Sequence, residues 1–241
     1  MLIFRSAIFL LWFALESAVI NILGLPSMLM PRAAANGVAE FWCRASLWGL
    51  KMFAGLDCEM RGPLPPHGVL IAAKHMSMLD TMALFVMLGR PAFVLKRNLL
   101  NIPFYGWYAR KTGMIAIDRE GRASALRMMV IKAKAALDGG RSVIIFPEGT
   151  RKKPGAPPDY KPGVAGLYGQ LDVPCVPVAL NSGLYWTGPG GFIKKPGKMV
   201  IEFLQPIPPG LKRREFMTAL ETEIETATAR LVAEGRAQLG E

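Results

Sequence analysis

The run Lys74-His75-Met76-Ser77-Met78-Leu79-Asp80 places an imidazole and a carboxylate five positions apart. A neutral imidazole takes a proton from a hydroxyl near neutral pH. A carboxylate bonded to its other nitrogen fixes the tautomer and stabilises the imidazolium that forms. On an ideal helix, residues five apart are about 140° out of register, so the two groups meet only where the backbone turns between them. The flanking sequence supplies such a turn. Val69-Leu70-Ile71-Ala72-Ala73 reads as a buried strand, and the apolar residues after Ser77 read as a helix. Taken alone, the spacing is better described as a surface turn with Asp80 near a helix start.

The residues around this pair must therefore be weighed together. Apolar runs at 69–73, 92–95, 113–117, 142–146, 175–180 and 198–203 alternate with helical patterns at 78–88, 122–138, 163–171 and 213–237. Short strands separated by helices predict an α/β fold with a mostly parallel central sheet flanked by helices. In such sheets, sites gather at the carboxyl ends of strands. His75 follows the first strand, Lys96 ends the second, Asp118-Arg119 ends the third and Pro147-Glu148-Gly149-Thr150-Arg151 ends the fourth. Individually, Arg119 and Arg151 have an ordinary reading as surface ion pairs, and Glu148 as a helix cap. Jointly, apolar strands that all end in polar or charged groups are better explained by a site. The segments 152–162 and 183–197 are rich in Pro, Gly and Lys and read as loops over it.

Composition narrows the chemistry. Of 241 residues, 51% are hydrophobic, enough for one α/β domain plus membrane-facing material. The three cysteines, Cys43, Cys58 and Cys175, are scattered without metal-ligand or disulfide spacing, which favours a reducing compartment. With only His67 and His75 available, no metal site is expected. The net charge of +11 is concentrated in residues 61–160, where sixteen basic side chains face six acidic ones. That field attracts phosphorylated substrates or anionic lipid surfaces. No recognition-helix, zinc-finger or aromatic RNA-binding pattern accompanies it, so nucleic acid is not an expected partner.

The N-terminus reads as membrane-associating. Ser6 to Met30 is nearly all apolar and long enough to cross a bilayer, which takes about 20 residues. Glu16, however, sits near its middle, where a charge costs roughly 2.5–3.5 kcal/mol. A second stretch, Val38 to Leu56, mixes Trp42 and Trp48 with Arg44 and Lys51, the chemistry of a headgroup interface. A helix pair dipping into one leaflet fits at least as well as a span. A signal peptide and a buried core helix are the rival readings. The expected division is residues 1–60 as anchoring helices and 61–241 as a catalytic domain. If residues 1–30 span, the basic residues that follow place the domain at the cytoplasmic face of the inner membrane.

Four segments carry a resemblance. His75-Met76-Ser77-Met78-Leu79-Asp80 resembles the H-x4-D motif of the glycerolipid acyltransferases. Gly113 to Arg119, Phe146 to Arg151 and Val173 to Val178 resemble their further motifs in order and spacing, as does Ile102 to Trp107 before the second. Met76 departs from the pattern, which usually has a small or polar residue there. The resemblance implies transfer of a fatty acyl group from acyl-CoA or acyl carrier protein to the sn-2 hydroxyl of lysophosphatidic acid, giving phosphatidic acid, with no cofactor besides that thioester. It implies His75 as general base and Asp80 as its orienting partner. Arg119 and Arg151, assisted by Lys96, would hold the lysolipid phosphate. Glu148 would bond the glycerol or orient an arginine, beside Gly149 and Thr150 of the same motif. Backbone amides of the helix after His75 are candidates for the developing oxyanion. A related acyltransferase acting on lyso-ornithine lipid or another lysolipid, and a non-catalytic membrane-binding module, are the competing readings. Oligomeric state is not legible.

Overall fold

The computed structural model describes residues 1–118, 121–186 and 191–241. The strands are β1 (Leu56–Arg61), β2 (Leu70–Ala73), β3 (Ala92–Lys96), β4 (Ile115–Ile117), β5 (Val143–Ile145), β6 (Cys175–Leu180) and β7 (Gly197–Phe203). The helices are α1 (Leu2–Leu23), α2 (Arg32–Gly49), α3 (Met78–Met87), α4 (Tyr105–Lys111), α5 (Arg122–Asp138), α6 (Gly163–Leu171) and α7 (Arg213–Leu239). The strands form one sheet in the order β1-β7-β6-β2-β5-β3-β4. All neighbours are parallel except β6 and β7.

The central strands are apolar on both faces because both faces are covered. Leu70, Ala72, Val143 and Ile145 pack with Met129, Leu167, Phe216 and Leu220 of α5, α6 and α7. The alternate residues Ile71, Ala73, Ile144 and Val176 pack with Leu79, Ala83 and Phe85 of α3. The same cluster takes in Phe9 of α1, Cys43 of α2, and Leu50 and Ala54 beyond it. Period-two alternation along each strand thus feeds two cores, one on each side of the sheet.

The predicted parallel α/β architecture is observed, with two differences. The first is β1, which lies parallel to β7 from Leu56↔Gly197 to Arg61↔Glu202, so the expected division at residue 60 falls inside a strand of the sheet. Asp57, Glu59 and Arg61 hid it, since charged residues on an edge strand break the apolar pattern by which the other strands are read. The second is α4, a helix of seven residues, too short for a periodic signal.

α1 and α2 form a hairpin. Trp12 packs on Trp48 at 5.2 Å between ring centroids, and Phe13 on Trp42 at 5.8 Å. Glu16 is buried between the helices, where its carboxylate accepts a hydrogen bond from Ser46 Oγ at 2.6 Å. A methyl group at Gly49 would collide with the Trp12 indole, so the close approach there needs glycine. The outer faces carry exposed Leu11, Leu15, Val19, Phe41 and Trp48.

Candidate active site

The order β2-β5-β3-β4 sets four carboxyl ends side by side, and the site stands on them. His75 lies two residues past β2, just before Ser77, the N-cap of α3. Asp80 is the third residue of that helix, and its side chain folds back over the turn. Asp80 Oδ2 lies 3.0 Å from His75 Nδ1 and accepts the main-chain amides of Met76 and Ser77 at 2.7 and 2.9 Å. Ser77 Oγ lies 3.2 Å from Asp80 Oδ1 and 2.9 Å from Ser182 Oγ. The turn required by the five-residue spacing is therefore the capping box itself.

Asp80 is fully buried, whereas the His75 side chain keeps 12% of its exposure. The imidazole stacks on Phe146, with 3.9 Å between centroids and 15° between planes. With Nδ1 against a carboxylate, the ring proton belongs on Nδ1 and Nε2 is left as the acceptor. His75 lines a cavity of about 980 Å³. Phe93, Leu95, Leu99, Leu126 and Phe146 give that cavity apolar walls.

Of the expected binding residues, Lys96, Gly149, Thr150 and Arg151 line this cavity. Gly149 turns the chain after β5 with φ of +66°, a conformation that favours glycine. Arg119 lies outside the described residues. Glu148 differs from expectation. It is buried, is not part of the cavity wall, and pairs with Lys74 Nζ at 2.8 Å. Lys74 also pairs with Glu225 of α7 at 2.7 Å, and Glu225 accepts the Tyr160 hydroxyl at 2.9 Å. Burial pushes the Glu148 carboxyl above its ordinary pKa, opposed by the Lys74 bond. Glu148 thus joins the strand end before His75 to the loop after β5. At the start of α3 the Met76 and Ser77 amides are bonded to Asp80.

Sequence reasoning missed several members of the site. Tyr105, Lys161 and Arg213 line the cavity. The Lys152 amide donates to His75 O at 2.9 Å. Lys74, next to the motif, was legible as a position but not as a partner for Glu148. Ser182 and Glu225 carried no local signal. Burial pushes the Cys43 and Cys58 thiols up to about 12, which leaves both poor nucleophiles. Ser77 is buried as a helix cap.

These features define an α/β protein with an oriented histidine, at least one cation and an apolar hollow at one sheet edge. The Acyltransferase family matches residues 56–181, which contain the carboxyl ends of β2, β3, β4 and β5, and the chain belongs to that family. The chain is 35% identical over 172 residues to the 1-acyl-sn-glycerol-3-phosphate acyltransferase of Pseudomonas aeruginosa, covering 70% of this chain and 66% of that one. It is 33% identical over 143 residues to the human 1-acyl-sn-glycerol-3-phosphate acyltransferase alpha, covering 58% and 50%. The chain thus spans less than two thirds of the length of these curated relatives. The crystal structure of the 1-acyl-sn-glycerophosphate acyltransferase from Thermotoga maritima superposes with a TM-score of 0.77 over 98% of both chains, at 22% identity. At that identity the likeness is one of fold.

Proposed function

We propose that the protein transfers a fatty acyl group from a thioester, acyl-CoA or acyl carrier protein, to the sn-2 hydroxyl of lysophosphatidic acid, forming phosphatidic acid. The observation that carries this reading is the His75–Asp80 pair at the wall of an apolar cavity that also holds Arg151 and Lys96. His75 Nε2 takes the proton of the acceptor hydroxyl, and the oxygen attacks the thioester carbonyl. The carbon–sulfur bond breaks as the ester bond forms, and the departing thiolate recovers the proton from His75. Asp80 holds the ring in the required tautomer and balances the imidazolium. Arg151 offers parallel donors to the lysolipid phosphate, Lys96 adds a point charge, and Arg119 keeps the phosphate role implied by the family motif. The apolar walls accommodate acyl chain. The names of the Pseudomonas and human relatives support the same acceptor.

The reaction needs access to a lipid surface, and the α1–α2 hairpin supports a one-leaflet attachment. α1 is long and apolar enough to cross a membrane. Yet both of its ends touch the domain. Ser6 Oγ accepts the Lys194 amide at 2.9 Å and Phe9 packs on Trp186, while Gly24 abuts the Tyr108 hydroxyl. A helix tethered at both ends to one domain does not deliver those ends to opposite sides of a bilayer. The basic charge of the domain suits the anionic cytoplasmic leaflet of the inner membrane.

The test is acyl transfer onto lysophosphatidic acid from each thioester donor, with wild type beside His75→Ala. Phosphatidic acid formation should fall by about 10²–10⁴-fold in the variant. Undiminished activity in His75→Ala would remove the mechanism. A silent wild type that acylates another lysolipid would change the acceptor and leave the mechanism standing.

A further inference from the structure

A second hollow of about 420 Å³ opens beside the first and shares Arg151 with it. Its wall carries five cations, Arg151, Lys152, Lys153, Lys195 and Arg236, against one carboxylate side chain, Glu241. Lys152 pairs with Asp159 at 3.2 Å, and Lys195 pairs with Glu241. Arg151, Lys153 and Arg236 have no carboxylate partner among the described residues. Three elements bring these charges together: the loop after β5, the segment between β6 and β7, and the last turn of α7. Unneutralised like charges converging on a concave wall repel one another, and an anion relieves that repulsion.

The hollow is bonded to the catalytic turn. The Lys152 amide donates to His75 O at 2.9 Å, and Met76, the residue after the base, forms part of the wall. Gly183 faces Met76 so closely that an added Cβ would lie 3.0 Å from the Met76 Cβ, and its bareness keeps this side open. A ligand held here lies next to the reacting centre but outside the large cavity. The large cavity has its own cations, Lys96, Lys161 and Arg213, together with the aliphatic and aromatic walls an acyl chain requires. Of the residues lining the second hollow, Met76, Pro154 and Leu184 are apolar and five are cationic.

We propose that the second hollow takes the phosphates of the nucleotide head of a coenzyme A thioester, leaving the larger cavity to the lysolipid. The inference rests on the acyl-transfer reading above. Its volume is that of a small-molecule pocket, about 300–1,000 Å³, rather than the broad surface that an acidic carrier protein would bury. Among the described residues no aromatic side chain lines it for stacking a base, so recognition is through phosphate charge.

The test uses the full chain with Lys153→Ala and Arg236→Ala, both exposed side chains, and Lys132→Ala on α5 as a charge-matched control outside both hollows. Binding of adenosine 3′,5′-bisphosphate is measured by calorimetry. KM is measured for acyl-CoA, for acyl-pantetheine (which lacks the nucleotide), for acyl carrier protein and for lysophosphatidic acid. Each hollow variant should weaken the bisphosphate and raise KM for acyl-CoA by about tenfold. Wild type and variants should converge with acyl-pantetheine, and Lys132→Ala should behave as wild type. An increase confined to lysophosphatidic acid would give the hollow to the acceptor and overturn the proposal. One confined to acyl carrier protein would give it to an acidic protein surface and overturn the proposal equally. Intact transfer without bisphosphate binding overturns the proposal and spares the acyl-transfer reading. Bisphosphate binding that the variants weaken, in a chain that acylates nothing, supports the hollow and sinks the reaction instead.

Discussion

The Asp80 carboxylate serves the His75 ring, two main-chain amides and the Ser77 hydroxyl together, so the imidazole is oriented by the same bonds that start α3. The geometry of the pair and the capping of the helix are one structure here. Behind it, Lys74 stands between Glu148 and Glu225 with its side chain 2% exposed. A buried pair of this kind adds little net stability over apolar residues of the same shape, but removing one partner strands the others. Lys74→Met should therefore destabilise the protein by about 3–5 kcal/mol in denaturant titration. The double variant Lys74→Met, Glu148→Leu should recover part of that loss, because it leaves only the partly exposed Glu225 unpaired. Equal midpoints for Lys74→Met and wild type would show that the cluster holds nothing in place. The His–Asp pair was legible because its partners lie within one turn of chain. The fate of Glu148 was not, since its cation is 74 residues away and any buried strand end can supply one.

At the scale of elements, the α1–α2 hairpin has two unlike faces. Its inner face is aromatic and closely packed, and its outer face exposes Leu11, Leu15 and Phe41. Each such side chain contributes about 1.5–3 kcal/mol when fully removed from water. Replacing all three by Asn should lower partition onto anionic vesicles by at least about tenfold in a sedimentation assay. The thermal transition should stay where it was, since none of the three is in the core. Unchanged sedimentation would place the membrane contact elsewhere. The apolar content of these helices was plain from sequence, but their pairing was not. Glu16, the apparent obstacle to a membrane helix, finds its partner in Ser46 on the other helix.

The whole molecule has no clean seam between the N-terminal helices and the sheet. Phe9, Leu50 and Ala54 share one core with Ile71, Phe93 and Val176. Lys194 marks the join. It is fully buried, lies 4.4 Å from the Trp186 ring centroid, and donates to the carbonyls of Gly191 and Phe192 at 2.6 and 3.0 Å. Burial lowers its pKa from 10.5 to about 8. Between those two values the unfolded chain binds more proton at this lysine than the folded one, so its contribution to stability rises with pH across the window and is lost as pH falls through about 8. Wild type should therefore gain thermal stability relative to Lys194→Met as pH is raised from about 8 to 10.5, read as the difference between their melting temperatures. Parallel curves for the two proteins would contradict that sign.

The sequence by itself determined six of the seven strands, the parallel architecture, the histidine–carboxylate pair and the cations at the strand ends. Each is written in a stretch short enough for periodicity or turn chemistry to act locally. Tertiary structure decided the strand order, the inclusion of β1, the Lys74–Glu148–Glu225 cluster, and the meeting of α7 with the β5 loop around a second hollow. The Lys74–Glu225 contact joins residues 151 apart and the Ser77–Ser182 contact residues 105 apart. At such separations the partner is selected by which surfaces the sheet brings together, and no spacing within the chain encodes it.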